Sequence, residues 1–283
     1  MNPAPASSDG PASGPQVDFN GQLMRASAMG ISPLSEGFLY GRGLFETIKV
    51  AGGRPIFFAE HAERLHRGAL ALGLEARTGT AGLLARCLAV IGANSLAEGA
   101  IKLVVFQGAG GVDELILPRD LGPGPGAVVG FRLQTMVGTA QEGGFGPLKT
   151  LNYLRQIGAK RAAQAAGFDE PILFGADGAL LEGATTNVFV VKSGQAVTPL
   201  SDGRILPGIV RAKMLLLVNA AEGRIDAREL GAADEVFVTN SLIGVMPVAQ
   251  VDGQRYDLEC NPVTRQAIAA LSELERRSGA ALS

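Results

Sequence analysis

The sequence has few cysteines and histidines, the residues that form disulfide frameworks and structural metal sites. Its 283 residues include two cysteines, two histidines and no tryptophan. Two cysteines, Cys87 and Cys260, cannot make a disulfide framework. The histidines, His61 and His66, have no cysteine or carboxylate cluster near them, so we expect no structural zinc site. No apolar run reaches the ~18 residues that a membrane-spanning helix needs.

An excess of charge of one sign is also missing. The net charge is −2, and charged residues make up 18% of the chain against 47% for apolar residues. This balance describes a globular protein and argues against nucleic acid as the main partner, which would require a basic face. The length allows one large or two smaller domains with real cores. The 39 glycines and 15 prolines predict many tight turns.

The order of patterns predicts an α/β (α+β) protein of two domains. Residues 1–16 are mostly proline, alanine, serine and glycine and predict a disordered tail. They lack the basic start and apolar centre of a signal peptide, so we expect a cytoplasmic protein. A glycine-rich stretch at 136–147 is the predicted interdomain loop. It separates a small α/β domain at 17–135 from a larger domain at 148–283.

Local signals predict the elements of these domains. The pairs Asn20-Gly21 and Gly52-Gly53 predict hairpin turns. Apolar residues at helical spacing predict helices at 60–72, 79–93, 153–166 and 261–276. Several buried-type strands are predicted, and one of them, at 127–133, would be the last of the first domain.

Lys149 has an unusual setting among the six lysines of the chain. It lies between Leu148 and Leu151 and follows Pro147, with no charged neighbour within five residues. Desolvation lowers the pKa of a lysine and makes its neutral amine available as a nucleophile or base. Such a lysine can form a Schiff base with a carbonyl. The alternative is a lysine at a helix entrance whose head reaches water. The other five have ready surface explanations: Lys49, Lys102, Lys160, Lys192 and Lys213.

Three further features predict a binding site. Glu182 stands between Leu181 and small residues, just before a strongly apolar strand, and needs a partner unless it is a turn carboxylate facing water. Pro207-Gly208 precedes an apolar helix whose free N–H groups could bind an anion. Arg64 lies on the wheel of a predicted helix beside His61, where an arginine is usually a solvated charge.

Together these residues meet the needs of pyridoxal phosphate, which takes a lysine for its aldehyde, a carboxylate for its ring nitrogen and donors for its phosphate. Their order resembles the class IV aminotransferases, the fold-type IV pyridoxal-phosphate enzymes, from Tyr40 to Val248. The resemblance is carried by Tyr40-Gly41-x-Gly43-x-Phe45-Glu46, His61-x-x-Arg64-Leu65, Lys149-x-x-Asn152, Leu181-Glu182-x-x-x-x-Asn187-Val188-Phe189, Leu206-Pro207-Gly208-Ile209-x-Arg211 and Asn240-Ser241 before Pro247-Val248.

The resemblance implies a role for each matching residue. Lys149 would be the Schiff-base lysine and proton carrier, Glu182 would pair with the pyridine nitrogen, and Tyr153 would hydrogen-bond the ring hydroxyl. The phosphate would be bound by groups from three segments: Arg64, the backbone amides of Ile209 and Val210, and the hydroxyl of Ser241. It also implies two α/β domains with the cofactor between them, and a homodimer.

Within the family, Phe45-Glu46-Thr47 and the run from Thr239 to Val248 resemble the aminodeoxychorismate lyases of folate synthesis, where branched-chain enzymes tend to have Phe-Glu-Gly and Gly-Thr. The lyases usually carry Arg-Gly-x-Gly-Gly-Arg-Gly in a loop that here reads Gln107-Gly108-Ala109-Gly110-Gly111-Val112-Asp113. Arg42 or Arg155 could replace the two missing arginines. The candidate substrate residues are Tyr40, Thr47, Gln107 and Asn240.

Three activities therefore stay open. The resemblance implies a lyase that converts 4-amino-4-deoxychorismate to 4-aminobenzoate and pyruvate. A transaminase for D-amino acids, branched-chain amino acids or amines would share every cofactor residue. A binding protein of this fold without catalysis is the third alternative, against which the intact Lys149 and Glu182 argue.

Overall fold

The computed structural model describes residues 14–119, 121, 130–138 and 146–280. Most of the predicted disordered tail, residues 1–13, lies outside the described residues, and Gln16 already begins a strand. Within the described ranges, no helix is long and apolar enough to cross a membrane.

Among the described residues, the first sheet has six antiparallel strands in the spatial order β2-β1-β6-β5-β3-β4. Its strands are β1 (Gln16–Phe19), β2 (Gln22–Arg25), β3 (Gly43–Ala51), β4 (Arg54–Pro55), β5 (Gly99–Gly108) and β6 (Gly111–Arg119). Both predicted hairpins are confirmed, because Asn20-Gly21 and Gly52-Gly53 have positive φ angles at their turns. A two-residue turn of this kind matches the twist of the strands that it joins.

Helices α2 (Phe58–Ala71) and α3 (Thr80–Ala93) cover one face of the first sheet. Helix α1 (Glu36–Tyr40) lies on the other face, where its Gly37 packs against Phe106. In α2, the residues Ala62, Leu65 and Ala69 recur at helical spacing and are buried against the sheet. Cys87 of α3 is buried in the same core and acts there as a small apolar side chain.

The second sheet is mixed and, in the part of the chain that the structure describes, has nine strands. Its strands are β7 (Phe131–Val137), β8 (Glu170–Phe174), β9 (Leu180–Gly183), β10 (Asn187–Lys192), β11 (Gln195–Pro199), β12 (Ala221–Gly223), β13 (Glu235–Asn240), β14 (Gly244–Val251) and β15 (Gln254–Arg255). The order is β12-β11-β10-β13-β14-β7-β8-β9, with β15 paired to β14. Its helices are α4 (Leu154–Ala165), α5 (Ile209–Leu217), α6 (Ala227–Gly231) and α7 (Pro262–Ala280).

The strand β7 corrects the predicted division of the chain. It was assigned to the first domain, but it pairs in parallel with β14 on one side and with β8 on the other. Met136 and Val137, predicted to open the interdomain loop, are the last two residues of this strand. The apolar pattern of a strand does not reveal its pairing partner, and β14 comes more than a hundred residues later in the chain. The chain therefore passes from one sheet to the other between Arg119 and Phe131.

Two contacts join the sheets and shape the space between them. Ile56 and Phe57, just before α2, pack into the core of the second sheet against residues that include Phe189 and Met214. The segment before α4 also pairs with β3, because Phe45 N–H donates to Lys149 O at 2.9 Å. This bridge carries Lys149 to the face of the first sheet that α2 and α3 leave uncovered.

Candidate active site

A cavity of about 510 Å³ lies between the two sheets. It brings together nine of the eleven predicted site residues: Thr47, Arg64, Lys149, Tyr153, Glu182, Ile209, Val210, Asn240 and Ser241. The other two, Tyr40 and Gln107, do not line it. Tyr40 lies at the end of α1 with 71% of its surface exposed.

Lys149 lies against two aromatic rings inside this cavity. Its Nζ is 4.5 Å from the ring centre of Phe45 and 5.1 Å from that of Tyr153. Burial lowers the pKa of Lys149 to about 8, although the charge of Glu46 opposes this shift. At that pKa, a far larger fraction of the amine is neutral near physiological pH than in an ordinary lysine, and the neutral amine is the nucleophile.

Glu182, at the end of β9, is held from one side. Its Oε2 accepts hydrogen bonds from Leu206 N at 3.0 Å and from Asn187 Nδ2 at 3.2 Å. No bond to its Oε1 is found among the described residues. Burial raises the pKa of Glu182 to about 8, against the effect of the Leu206 N–H and of nearby cations. A cationic N–H donor facing Oε1 would stabilise the ionised form.

Arg64 is fixed by a second buried carboxylate, Glu46, whose sequence neighbours give no sign of this function. Arg64 Nε and Nη2 each donate to Glu46 at 2.7 Å, and Nη1 donates to Pro207 O at 2.9 Å. His61 Nδ1 also lies 2.7 Å from Glu46. Burial alone would raise the pKa of Glu46, but the charge and hydrogen bonds of Arg64 hold it at about 2. Three of the five N–H groups of Arg64 are thus used, and two remain for an anion.

The N-terminus of α5 faces the same end of the cavity as Arg64. Gly208 is its N-cap, and no side chain caps the helix. The first intrahelical bond is donated by Ala212 N to Gly208 O, so Ile209 and Val210 have no helical acceptor for their N–H groups. These amides, the positive end of the helix dipole and the nearby hydroxyl of Ser241 form a surface suited to phosphate.

Tyr153 closes another side of the cavity. Its ring meets Phe45 edge-on, with ring centres 5.1 Å apart. Burial raises the pKa of Tyr153 far above its ordinary value, with the charges of Glu182 and Glu170 adding to the effect. The phenol therefore stays protonated, and its hydroxyl donates to Ala184 O at 3.2 Å. Its contact with a cofactor hydroxyl stays a prediction.

The polar groups on the substrate side differ from the predicted set. The amide of Asn240 is used within the chain, since Nδ2 donates to Thr185 O and Oδ1 accepts from Leu242 N and Ile243 N. Arg42 pairs with Glu36 and does not line the cavity, whereas Arg155 does. Arg119, at the end of β6, also lines it and was missed. Its terminal strand position, next to a proline-rich segment, gave no local sign of this.

Lys102 is less exposed than its sequence setting suggested. Its Nζ lies 4.3 Å from the ring centre of Phe45. Burial, and then the charge of Arg119, lower the pKa of Lys102. Because Thr47 pairs with Lys102, and Ala100 pairs with Arg119, the side chains of Thr47, Lys102 and Arg119 lie on one face of the first sheet.

Comparison with known proteins agrees with this arrangement. Residues 43–251 match the family described as amino-transferase class IV. The chain is 30% identical to a D-alanine aminotransferase of Bacillus licheniformis over 90% of its length and 95% of that protein. It is 29% identical to an aminodeoxychorismate lyase of Bacillus subtilis, over 88% of its length and 90% of that protein.

Solved structures show the same fold. The branched-chain amino acid aminotransferase of Escherichia coli superposes with a TM-score of 0.84 at 26% identity, covering 93% of this chain and 95% of that one. A putative 4-amino-4-deoxychorismate lyase from Legionella pneumophila gives a TM-score of 0.81 at 25% identity, covering 87% and 96%. Transaminases and lyases are thus similar to this chain to about the same degree.

Proposed function

The chain belongs to the class IV aminotransferase family, and from that premise we propose that it is a 4-amino-4-deoxychorismate lyase of folate synthesis, with 4-aminobenzoate and pyruvate as products. Its cofactor is pyridoxal phosphate, as in other enzymes of the family. The cofactor is common to lyase and transaminase, so the choice of reaction rests on the substrate side of the cavity.

The residues of the cavity fit this cofactor. Arg64 and the amides of Ile209 and Val210 would bind the phosphate, which matches two remaining guanidinium N–H groups and an uncapped helix N-terminus. Glu182 would accept from the ring nitrogen through Oε1, and Lys149 would reach the aldehyde between these two ends. Bound pyridoxal phosphate supplies a ring that draws negative charge away from the substrate carbon bearing the amine.

Lys149 would carry the proton in the lyase reaction. Once the substrate amine has displaced it, neutral Lys149 Nζ removes the proton from C4 of the substrate ring. The C–O bond to the enolpyruvyl group then breaks, and its electron pair leaves with the enol as the ring becomes aromatic. The enol takes a proton at its methylene carbon to become pyruvate. No oxidant or amino-group acceptor is consumed.

One observation carries the choice of the lyase: the first sheet presents a hydroxyl and a guanidinium to the cavity. Thr47 and Arg119 line the cavity, and Lys102 shares their face of the sheet. The proposed substrate has two carboxylates, and Arg119 offers a guanidinium for one of them, at the end of the β5–β6 hairpin opposite the loop in which the two arginines are missing. Thr47 would donate a hydrogen bond to the leaving enolpyruvyl group.

The test is product formation by purified enzyme from 4-amino-4-deoxychorismate with no keto acid present. The lyase should form 4-aminobenzoate and pyruvate in equal amounts. Arg119→Ala should raise KM about tenfold or more, the scale expected for loss of a charged hydrogen bond. Lys192→Ala, at a surface ion pair with Asp234, is the matched control and should change neither KM nor kcat. Absence of 4-aminobenzoate would overturn the proposal.

A second candidate, a transaminase for D-amino or branched-chain amino acids, is favoured by a different wall. Met136, Val137 and Leu173 line the cavity with apolar surface suited to an aliphatic side chain. The absence of arginine at Gln107 and Val112 also fits a substrate with fewer carboxylates. Amino-group exchange between D-alanine or leucine and 2-oxoglutarate, without 4-aminobenzoate formation, would establish this activity.

We also propose that the enzyme is a homodimer. The segment around α1 exposes four large apolar side chains: Leu34, Phe38, Leu39 and Tyr40. A second copy covering this segment would also account for Tyr40 lying outside the cavity of its own chain. Sedimentation of the wild type and of Phe38→Asp measures this. A monomeric wild type would contradict the proposal.

A further inference from the structure

Asn187 begins β10 beside the cavity, and its side chain contacts both the carboxylate of Glu182 and the loop before α5. We propose that Asn187 is a positioning residue that holds Glu182 with one oxygen turned toward the ring nitrogen of the cofactor. The inference rests on the proposed role of Glu182, and it gives a function to a motif residue that had none.

The geometry assigns the orientation of the Asn187 amide. Nδ2 lies 3.0 Å from Leu206 O and 3.2 Å from Glu182 Oε2. A backbone carbonyl can only accept, so the group that faces Leu206 O must be the NH₂. The same NH₂ has a second hydrogen, which goes to Glu182. Both hydrogens of the amide are therefore used, one on a rigid backbone atom and one on the carboxylate.

The other end of the amide is blocked from moving. Asn187 Oδ1 lies so near the backbone of Gly208 that a Cβ added there would come within 2.0 Å of it. Asn187 itself is 5% exposed, and its backbone pairs with Thr239 in the middle of the second sheet. The side chain is thus held by a strand behind it, by Gly208 on one side and by Leu206 on the other.

This fixed amide determines which carboxylate oxygen faces the cofactor. Leu206 N–H and Asn187 Nδ2 both bond Oε2, so Oε1 is left for the ring nitrogen. Two donors on one oxygen also favour the ionised form of a carboxyl whose pKa burial has raised. Without Asn187, one donor is lost and the carboxyl can rotate about its last bond.

The test compares two phosphorylated ligands on the apoprotein. One is pyridoxal phosphate, and the other is its 1-deaza analogue, in which a C–H replaces the ring nitrogen. Dissociation constants are measured by absorbance and fluorescence titration, so no turnover is involved. Wild-type protein should prefer pyridoxal phosphate, and Asn187→Ala should reduce that preference about tenfold or more, as expected for a lost hydrogen bond to a charged group. Any loosening of the loop before α5 weakens the binding of both ligands equally, and so cancels in the ratio of their dissociation constants.

The Glu182→Gln variant separates this inference from the proposal on which it rests. If Glu182→Gln keeps the wild-type preference, the role of Glu182 is wrong. If Glu182→Gln loses the preference and Asn187→Ala keeps it, only the role of Asn187 is overturned. In a Glu182→Gln background, Asn187→Ala should have no further effect on the ratio. Asn187→Leu, which fills the same volume without a donor, repeats the test should the alanine variant not fold. Asn261→Ala is a control at an equally buried asparagine outside the cavity.

Discussion

Two buried glutamates belong to the site, Glu182 in the lining of the cavity and Glu46 behind Arg64, and they behave in opposite ways. The pKa of Glu46 is held at about 2, whereas that of Glu182 is raised to about 8. Glu46 has a resident cation bonded to both of its oxygens, whereas Glu182 has only neutral donors on one oxygen. The difference shows that burial alone does not set the charge of a carboxyl. The protein itself supplies the cation for Glu46, whereas a bound ligand would supply the one for Glu182.

Changing Lys149 should have the largest effect. Lys149→Ala should abolish turnover, because among the described residues that line the cavity Lys149 is the one lysine. Borohydride reduction of the holoenzyme followed by peptide mapping should find the reduced cofactor on Lys149. An adduct on another lysine would contradict the assignment.

The control for this variant is Lys192→Ala. Lys192 is exposed and pairs only with surface Asp234, so its removal should leave turnover and cofactor content unchanged. Lys160 is a poorer control, since it pairs with Glu170, whose carboxylate is fully buried. Its loss would leave that charge without its cation.

Glu182→Gln removes the charge of the glutamate that has no cation among its described partners. The amide cannot hold a proton on the ring nitrogen by charge, so turnover should fall by orders of magnitude while the phosphate contacts still retain cofactor. Steady-state rates and the cofactor content of dialysed protein measure the two effects separately. Near-normal turnover would mean that another acid faces the ring.

Glu46→Gln removes the charge of the glutamate that is paired with Arg64. Removing one partner of a buried ion pair leaves Arg64 uncompensated, and the free energy of unfolding should fall by about 3–5 kcal/mol. Denaturant unfolding of the apoprotein measures this. Glu36→Gln, at the exposed pair with Arg42, should cost less than about 1 kcal/mol. Equal losses in the two variants would show that Glu46 is not the partner that Arg64 requires.

The smallest expected effect is a pH dependence that separates the two glutamates. Glu182 has a folded-state pKa of about 8 against a model value of 4.5, so between these values the folded protein holds an additional proton. The unfolding free energy of the apoprotein should therefore fall as pH rises through that window. Glu46, with a pKa of about 2, is ionised throughout it and adds no slope.

Glu182→Gln should flatten this dependence of apoprotein stability between pH 5 and pH 8, a window taken inside the pKa range of Glu182. Thermal unfolding at a series of pH values detects the change, and Glu63→Gln, at an exposed pair with Arg67 outside the cavity, is the control. An unchanged slope in Glu182→Gln would assign the dependence to other groups.

The site residues that could be predicted from the sequence are those with unusual immediate neighbours. Lys149 stood out for its apolar neighbours, and Glu182 for standing before a strongly apolar strand. Glu46 had no such sign, because its role comes from α2 folding over β3 and bringing His61 and Arg64 to it. Arg119 likewise reaches the cavity only through the register of the first sheet.

The fold shows the same division between local and distant information. Hairpin turns follow from two adjacent residues, and both were predicted correctly. The assignment of β7 was wrong because its partners β14 and β8 come later in the chain. The partner of a strand depends on which other strands of the sheet can pair with it. The sequence of one segment therefore does not reveal that partner.

The parallel pairing of β7 with β14 also orders events during synthesis on the ribosome. All strands of the first sheet have been made by Arg119, so that sheet, with Glu46 and Arg64 in contact, can form before Lys149 has been added to the chain. Strand β7 then has one edge unpaired until β14 emerges, more than a hundred residues later. An unpaired edge is open to other chains, so the nascent protein is exposed to aggregation in the interval between these two strands.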